Sequence, residues 1–225
     1  MSLYLILNIG SLLIPFIYSF DRRMRYIKRW KAVFSAIAIT AAFFIIWDIF
    51  FTKMGVWSFN PRYHSGIAFF DLPLEEWLFF ICIPYSSIFI HFAFHYFCPT
   101  VFLSDKTVRI IYGLLMVILV STLVLNYDKW YTAVNYGILI LILTYTVFKV
   151  PQILNTFFIT FLIILIPFFL VNGILTGSFI DEPVVYYNNN ENLGIRIATI
   201  PIEDFGYAFT MILMSLILIK KIENK

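Results

Sequence analysis

Apolar residues gather into seven long runs, near 3–20, 32–51, 77–97, 108–126, 131–148, 153–171 and 204–219. A helix needs about 20 apolar residues to cross the hydrocarbon core of a bilayer. Each run is therefore a candidate transmembrane helix, the last being the shortest. Two long polar intervals interrupt the series, at roughly 52–76 and 172–203, and the other connections are short. The expected fold class is an all-α integral membrane protein with seven transmembrane helices.

Composition agrees. Of 225 residues, 61% are hydrophobic and only 13% are charged, where a soluble domain carries about 25% charge. Too little polar sequence remains to cover a soluble core. The net charge of +3 follows from the placement of lysine and arginine in loops and carries no nucleic-acid signal. Cys82 and Cys98 lie at the edges of one expected helix and show neither a disulfide framework nor zinc spacing. Met1 to Phe20 has its basic cluster after it, which reads as a first membrane segment and not a cleaved signal.

Basic residues orient the spans. Arg22, Arg23, Arg25, Lys28, Arg29 and Lys31 crowd the first loop, and such loops stay on the cytoplasmic side. The N-terminus is then outside and the C-terminus inside the cytoplasmic membrane. Lys106, Arg109, Lys149, Lys220, Lys221 and Lys225 fall on the same inner face, giving it 12 of the 16 basic residues; Lys53, Arg62, Lys129 and Arg196 are outside. Both long polar intervals are placed outside.

One phrase occurs twice. Leu72-Pro73-Leu74-Glu75-Glu76 reappears 128 residues later as Ile200-Pro201-Ile202-Glu203-Asp204, and the same offset carries Asn60 onto Asn188 and Gly66 onto Gly194. Each phrase opens an apolar run. Four helices separate equivalent positions, so the copies cross in the same direction. This predicts two parallel three-helix repeats, residues 1–100 and 131–225, joined by a linking helix within 101–130, with a pseudo-two-fold axis near the membrane normal. The proline fits the approach to a helix because its missing amide is not needed there. The acids that follow occupy the first turn, where the helix dipole favours negative charge.

Acids beside a bilayer are costly and mark functional sites. Glu75, Glu76, Glu203 and Asp204 are the primary candidates. Asp48 closes the second run, and Asn60 either turns the loop or reaches a carboxylate. Aromatic residues surround them: Trp47, Trp57, Phe59, Tyr63 and Trp77 in the first copy, Tyr186, Tyr187, Phe205 and Tyr207 in the second. Their faces attract positive charge, although membrane interfaces collect aromatics in any case. A desolvated carboxyl group beside a second one tends to stay protonated. Such a pair can donate a proton and hold the positive charge that develops, which suits chemistry through a carbocation. Duplicated membrane acids equally suit a proton- or cation-coupled transporter.

Asp48, Gly55-x-Trp57-x-Phe59-Asn60-Pro61-x-Tyr63, Gly66 and Leu72-Pro73-Leu74-Glu75-Glu76 together resemble the membrane lycopene cyclases with tandem cyclase domains, which occur as two subunits, as fusions, or fused to phytoene synthase. The second copy departs by ending in Glu203-Asp204 and lacking the Trp-x-Phe-Asn-Pro run. The resemblance implies redox-neutral closure of linear C40 carotenoid ends into β-ionone rings, converting lycopene to γ- and β-carotene. A carboxylic acid would protonate C2, the C1 cation would be attacked by the C5=C6 bond, and C6 would lose a proton. On this reading Glu75 or Glu203 is the acid, and Glu76 and Asp204 hold charge or take the final proton. Trp57, Asn60, Tyr63, Asn188 and Asp48 bind or orient. The carotenoid would come from the bilayer, with room for association with other enzymes of its pathway.

No cofactor is implied. The chain has no G-x-G-x-x-G run of the kind that marks a dinucleotide fold, and the proposed step needs no metal. A retinal photoreceptor would need a lysine within the last span, and Lys220 stands only at its end. His91 and His95 share a helix face but lie at the end of the third run opposite the acids, where packing accounts for them.

Overall fold

The computed structural model describes residues 2–224, so Met1 and Lys225, the latter counted above on the inner face, lie outside the described residues. The protein is an all-α integral membrane protein. Six of its helices are long and apolar enough to cross a membrane: α2 (Trp30–Lys53), α3 (Leu74–Phe97), α4 (Asp105–Leu125), α5 (Trp130–Lys149), α6 (Gln152–Leu175) and α7 (Ile202–Glu223). The seventh, α1 (Leu3–Tyr18), is apolar but has only 16 residues.

The last segment is not the shortest. Helix α7 has 22 residues, because the chain stays helical through Lys220 and Lys221 to Glu223. Their charged ends are engaged outside the apolar core: Lys220 reaches Gln152 at 3.1 Å, Lys221 lies over Tyr145, and Glu223 pairs with Arg29 at 2.7 Å. Long cationic side chains allow this by burying only their stems. Helix α1 ends where the Ser19 hydroxyl turns back onto the Pro15 carbonyl at 2.6 Å.

Helix α7 is the centre of the bundle, with 67% of its most apolar window buried, whereas the figure for α4 is 11%. Helices α2 and α5 pack on α7, α3 packs on α1, α2 and α6, and α4 leans on α5. Leu114, Val117, Ile118 and Val124 of α4 are exposed, the surface expected of a helix facing lipid. Gly206 lets α5 and α7 approach closely. A Cβ there would come within 3.3 Å of the Asn135 amide oxygen and of Leu139.

Six short strands lie at the ends of the helices. Strands β2 (Ala68–Phe69) and β3 (Leu72–Pro73) form a hairpin, as do β5 (Arg196–Ile197) and β6 (Ile200–Pro201). Each hairpin ends on the proline of the repeated phrase, and the helix starts at the next residue. The amide after each proline donates back across its hairpin, Leu74 to Ile67 at 2.9 Å and Ile202 to Ile195 at 3.0 Å.

Strands β1 (Trp57–Phe59) and β4 (Val185–Tyr187) join the two polar intervals in an antiparallel pair, Trp57 opposite Tyr187 and Phe59 opposite Val185. The backbone bonds beside it are reciprocal. Asn60 N–H donates to the Val184 carbonyl at 2.8 Å, and Asn188 N–H to the Val56 carbonyl at 2.9 Å. Replacing each residue by the one 128 positions away in the other interval, Asn60 by Asn188 and Val184 by Val56, turns one bond into the other. Such self-complementary exchange is what a two-fold axis imposes on a contact.

Candidate active site

The acids of each phrase occupy consecutive positions in the first turn of a helix, so about 100° of helix rotation separates them. The structure uses that angle to send them to different places. Glu75 and Glu203 face their own loops. Glu75 accepts the Ser65 amide N–H at 2.7 Å and the Ser2 hydroxyl at 2.6 Å. Glu203 accepts the Leu193 amide N–H at 2.7 Å and the Thr132 hydroxyl at 2.7 Å. Both are fully buried, and each ties a loop to the mouth of its helix.

Glu76 and Asp204 instead face a cavity. It holds about 600 Å³ of empty space, counted to its open mouth, and its walls include Tyr4, Asp48, Trp57, Glu76, Phe79, Tyr131, Phe168, Asn172, Tyr187, Asp204 and Tyr207. Eight different elements therefore contribute. Glu76 accepts the phenol proton of Tyr4. Asp204 accepts the phenol of Tyr131 at 2.5 Å, the Asn172 amide at 2.7 Å and the phenol of Tyr187 at 3.0 Å. Burial pushes the Tyr187 phenol well above its usual pKa, and the adjacent Asp204 carboxylate adds to the effect. Tyr187 is thus a neutral donor throughout the physiological range.

Asp48 comes to the same cavity from α2. One carboxyl oxygen takes the Trp57 indole N–H at 2.5 Å and, weakly, the Thr52 hydroxyl at 3.4 Å. The other, Oδ2, is buried without a partner. No lysine or arginine lines the cavity among the described residues, and the ion pairs found join other groups. Three buried carboxyl groups without a cation are costly. The cost is offset in part by hydrogen bonds to the acids, each worth about 1.5–3 kcal/mol when the acceptor is charged.

Aromatic rings form the walls between the acids. Tyr207 sits edge-on to Phe44 with centroids 4.8 Å apart and is 4.9 Å from Trp47 and 6.5 Å from Trp57. Tyr131 stacks on Tyr187 at 5.9 Å. A positive charge formed in this space meets aromatic rings and carboxylates, with aliphatic side chains such as Ile83 and Leu175 completing the wall.

The remaining sequence candidates lie in the cap above. The Asn60 side chain both turns the loop and reaches a carboxylate. It accepts Arg62 N–H at 3.1 Å and donates to Glu182 at 3.1 Å, to the Pro183 carbonyl and to Tyr186. The carboxylate is Glu182, not one of the repeated acids. Asn188 accepts Asn190 N–H at 3.1 Å and donates to the Gly55 carbonyl. Tyr63 carries the Arg62 guanidinium near its ring. Asn60, Asn188 and Tyr63 are not in the cavity wall, whereas Trp57 is. His91 bonds Thr160 at 2.8 Å and, with His95, borders a separate hollow beside Lys220 and Glu223.

Sequence reasoning missed Tyr4, Tyr131 and Asn172. A signal for the first two exists. Tyr4 and Asn8 recur as Tyr131 and Asn135, 127 residues on, and both pairs act alike. The tyrosines serve the second acid of each phrase, while Asn8 donates to the Glu75 carbonyl at 2.7 Å and Asn135 to the Glu203 carbonyl at 2.5 Å. Asn172 has no counterpart at either offset.

A family model described as lycopene cyclase matches residues 1–94 and 128–222. The chain belongs to the lycopene cyclase family. A bifunctional lycopene cyclase/phytoene synthase from Phycomyces blakesleeanus is 38% identical over 64 residues, which is 28% of this chain and 11% of that protein. The match thus spans only a small part of that relative's length. No solved structure matches the chain. Each family-matched segment contains one acidic phrase, whose second acid faces the cavity and accepts a phenol, that of Tyr4 in one segment and of Tyr131 in the other.

Proposed function

We propose that the protein is a lycopene β-cyclase that closes the ends of a linear carotenoid into β-ionone rings by proton transfer, without net oxidation or reduction. The observation that carries this reading is the convergence of Asp48, Glu76 and Asp204 on one aromatic-walled cavity with no cation in its wall. Family membership supports it.

The chemistry assigned to the cavity is balanced. A carboxylic acid delivers its proton to C2 of the terminal C1=C2 bond. The electron pair of C5=C6 forms the C1–C6 bond and leaves a cation at C5. Loss of the C6 proton to a carboxylate restores a neutral product and the C5=C6 bond. The cavity carboxylates and ring faces stabilise the two cations. The substrate is a hydrocarbon dissolved in the bilayer, so entry is lateral, between helices. Glu75 and Glu203, each of which accepts a loop amide, serve in this account as supports, and the proton is handled by the cavity-facing acids.

The same proposal includes a duplicated architecture. Residues 1–100 and 131–225 are two parallel units and α4 joins them, with the N-terminus outside the cytoplasmic membrane. Supporting it are the matched hydrogen bonds at offsets of 127 and 128, the reciprocal β1–β4 contact, and two family-matched segments of nearly equal length.

Expression in cells that already make lycopene tests the function. Chromatography of their pigments should show γ- or β-carotene. Unchanged lycopene in membranes that contain the folded protein would overturn the proposal. A monocyclic product would show that one end is processed, a bicyclic product both.

A further inference from the structure

The two halves of the cavity differ in a way that assigns them different work. In the second half, Asp204 is surrounded by donors. Tyr131 serves Oδ1, and Asn172 and Tyr187 serve Oδ2. All three are neutral groups that donate to this carboxylate's lone pairs, an arrangement that fits its ionised form. With both oxygens occupied, Asp204 presents charge to the cavity more than a free lone pair.

The first half is built otherwise. Where the second half supplies the Asn172 amide, the first supplies a second acid, Asp48. Asp48 and Glu76 are both buried and line the same cavity. Asp48 Oδ2 is buried in this setting without a partner, and Asp48 is 2% exposed. Two buried carboxyl groups in one cavity wall favour holding one proton between them, since ionising both is costly while no cation is present among the described residues of that wall. A shared proton also provides the partner that Oδ2 otherwise lacks.

We propose that Asp48 and Glu76 share a single proton and form the acid–base half of the site, while Asp204 is a fixed anion that Tyr131, Asn172 and Tyr187 position. The proposal rests on the cyclase reading and makes Asp48 a catalytic residue. In the cycle the pair gives its proton to C2 and becomes doubly ionised while the substrate is cationic. It then recovers a proton from C6, so it ends as it began. Asp204 neither gains nor loses a proton, and it stabilises the cation from the opposite wall.

Infrared spectroscopy of the protein in lipid membranes, without substrate, reads the proton directly. Wild type should show the C=O stretch of a buried carboxylic acid that shifts in D2O. Asp204→Asn should leave that band in place, whereas Asp48→Asn and Glu76→Gln should each displace or remove it. Loss of the band in Asp204→Asn alone would overturn the assignment, as would an identical band in all four proteins. Turnover of lycopene in the same membranes is the second readout. Asp48→Asn should lower kcat by about 100-fold or more, the scale of a lost general acid–base group, with little change in KM. Asp48→Glu should recover part of the loss. An Asp48→Asn protein that turns over as fast as wild type removes the assignment but leaves the cyclase reading. A wild type that never cyclises lycopene removes the reading, whatever the infrared bands show.

Discussion

Neighbouring acids in one helical turn meet contrasting surroundings. Glu75 and Glu203 accept backbone amides of the loops beside them and hydroxyls at the starts of α1 and α5, and Glu76 and Asp204 meet phenols, rings and empty space. The contrast recurs at both helix mouths. Two carboxylates of similar burial and adjacent sequence position are thus separated by the chemistry of what touches them, and burial alone does not identify the reactive one. A supporting acid has an oxygen committed to holding chain segments together. A reacting acid must keep an oxygen turned toward the space that substrate fills.

The largest expected effect breaks the comparison most cleanly. Glu76→Gln and Asp204→Asn should each reduce ring formation by about 100-fold or more, measured as carotenoid product per folded protein, with membrane insertion intact. If either variant cyclises at the wild-type rate, the cavity-facing acids are not the reacting ones.

Glu75→Gln and Glu203→Gln should act mainly on stability. Glutamine keeps the oxygen that accepts both the loop amide and the hydroxyl, but puts a buried NH2 group in place of Oε2, which has no partner in Glu203. A loss of about 1–3 kcal/mol is expected from a mispaired buried group, seen as a lower thermal midpoint in detergent, with ring formation reduced far less than in Glu76→Gln. Glu75→Gln with an unchanged midpoint and no product would reverse the roles assigned to the two positions.

Tyr4→Phe and Tyr131→Phe sharpen the contrast within the cavity. Each removes one donor from a carboxylate and leaves the ring, so a drop of about tenfold in kcat is expected, on the scale of one charge-assisted bond. Because Asp204 keeps Asn172 and Tyr187, Tyr131→Phe should cost it less than the combined Tyr131→Phe/Asn172→Ala change. Equal rates for the single and combined variants would show that these donors do not act on one carboxylate. The smallest effect belongs to the cap. Asn60→Ala should cost about 1 kcal/mol through its lost turn and bridging bonds, read by thermal unfolding, and should leave kcat within a few-fold.

The sequence carried the membrane class, the bounds of most helices to within a few residues, and the repeated acidic phrase. Apolar run length and proline placement are local properties, and a bilayer leaves few alternatives to a helix. Which acid of each pair would face the cavity was not legible, because it depends on helix rotation set by distant packing. Asp48 and Trp57 were visible as candidates, and their direct bond emerges only when the loop folds back over α2. Tyr4 and Tyr131 escaped because their offset is 127 where that of the acids is 128, the difference of one residue falling in the connections between. Asn60 and Asn188 were legible as a pair, but their common setting is the reciprocal loop contact, not the cavity.

Proton transfer to carbon is the central step of this account, and a single turnover in D2O tests it most directly. Protein in molar excess, equilibrated in D2O within liposomes, is mixed with lycopene, and the pigment is analysed by mass spectrometry. The account predicts ring-containing product that carries one added deuterium for each ring, at C2, with no electron donor or acceptor supplied. Cyclised product free of deuterium would contradict it.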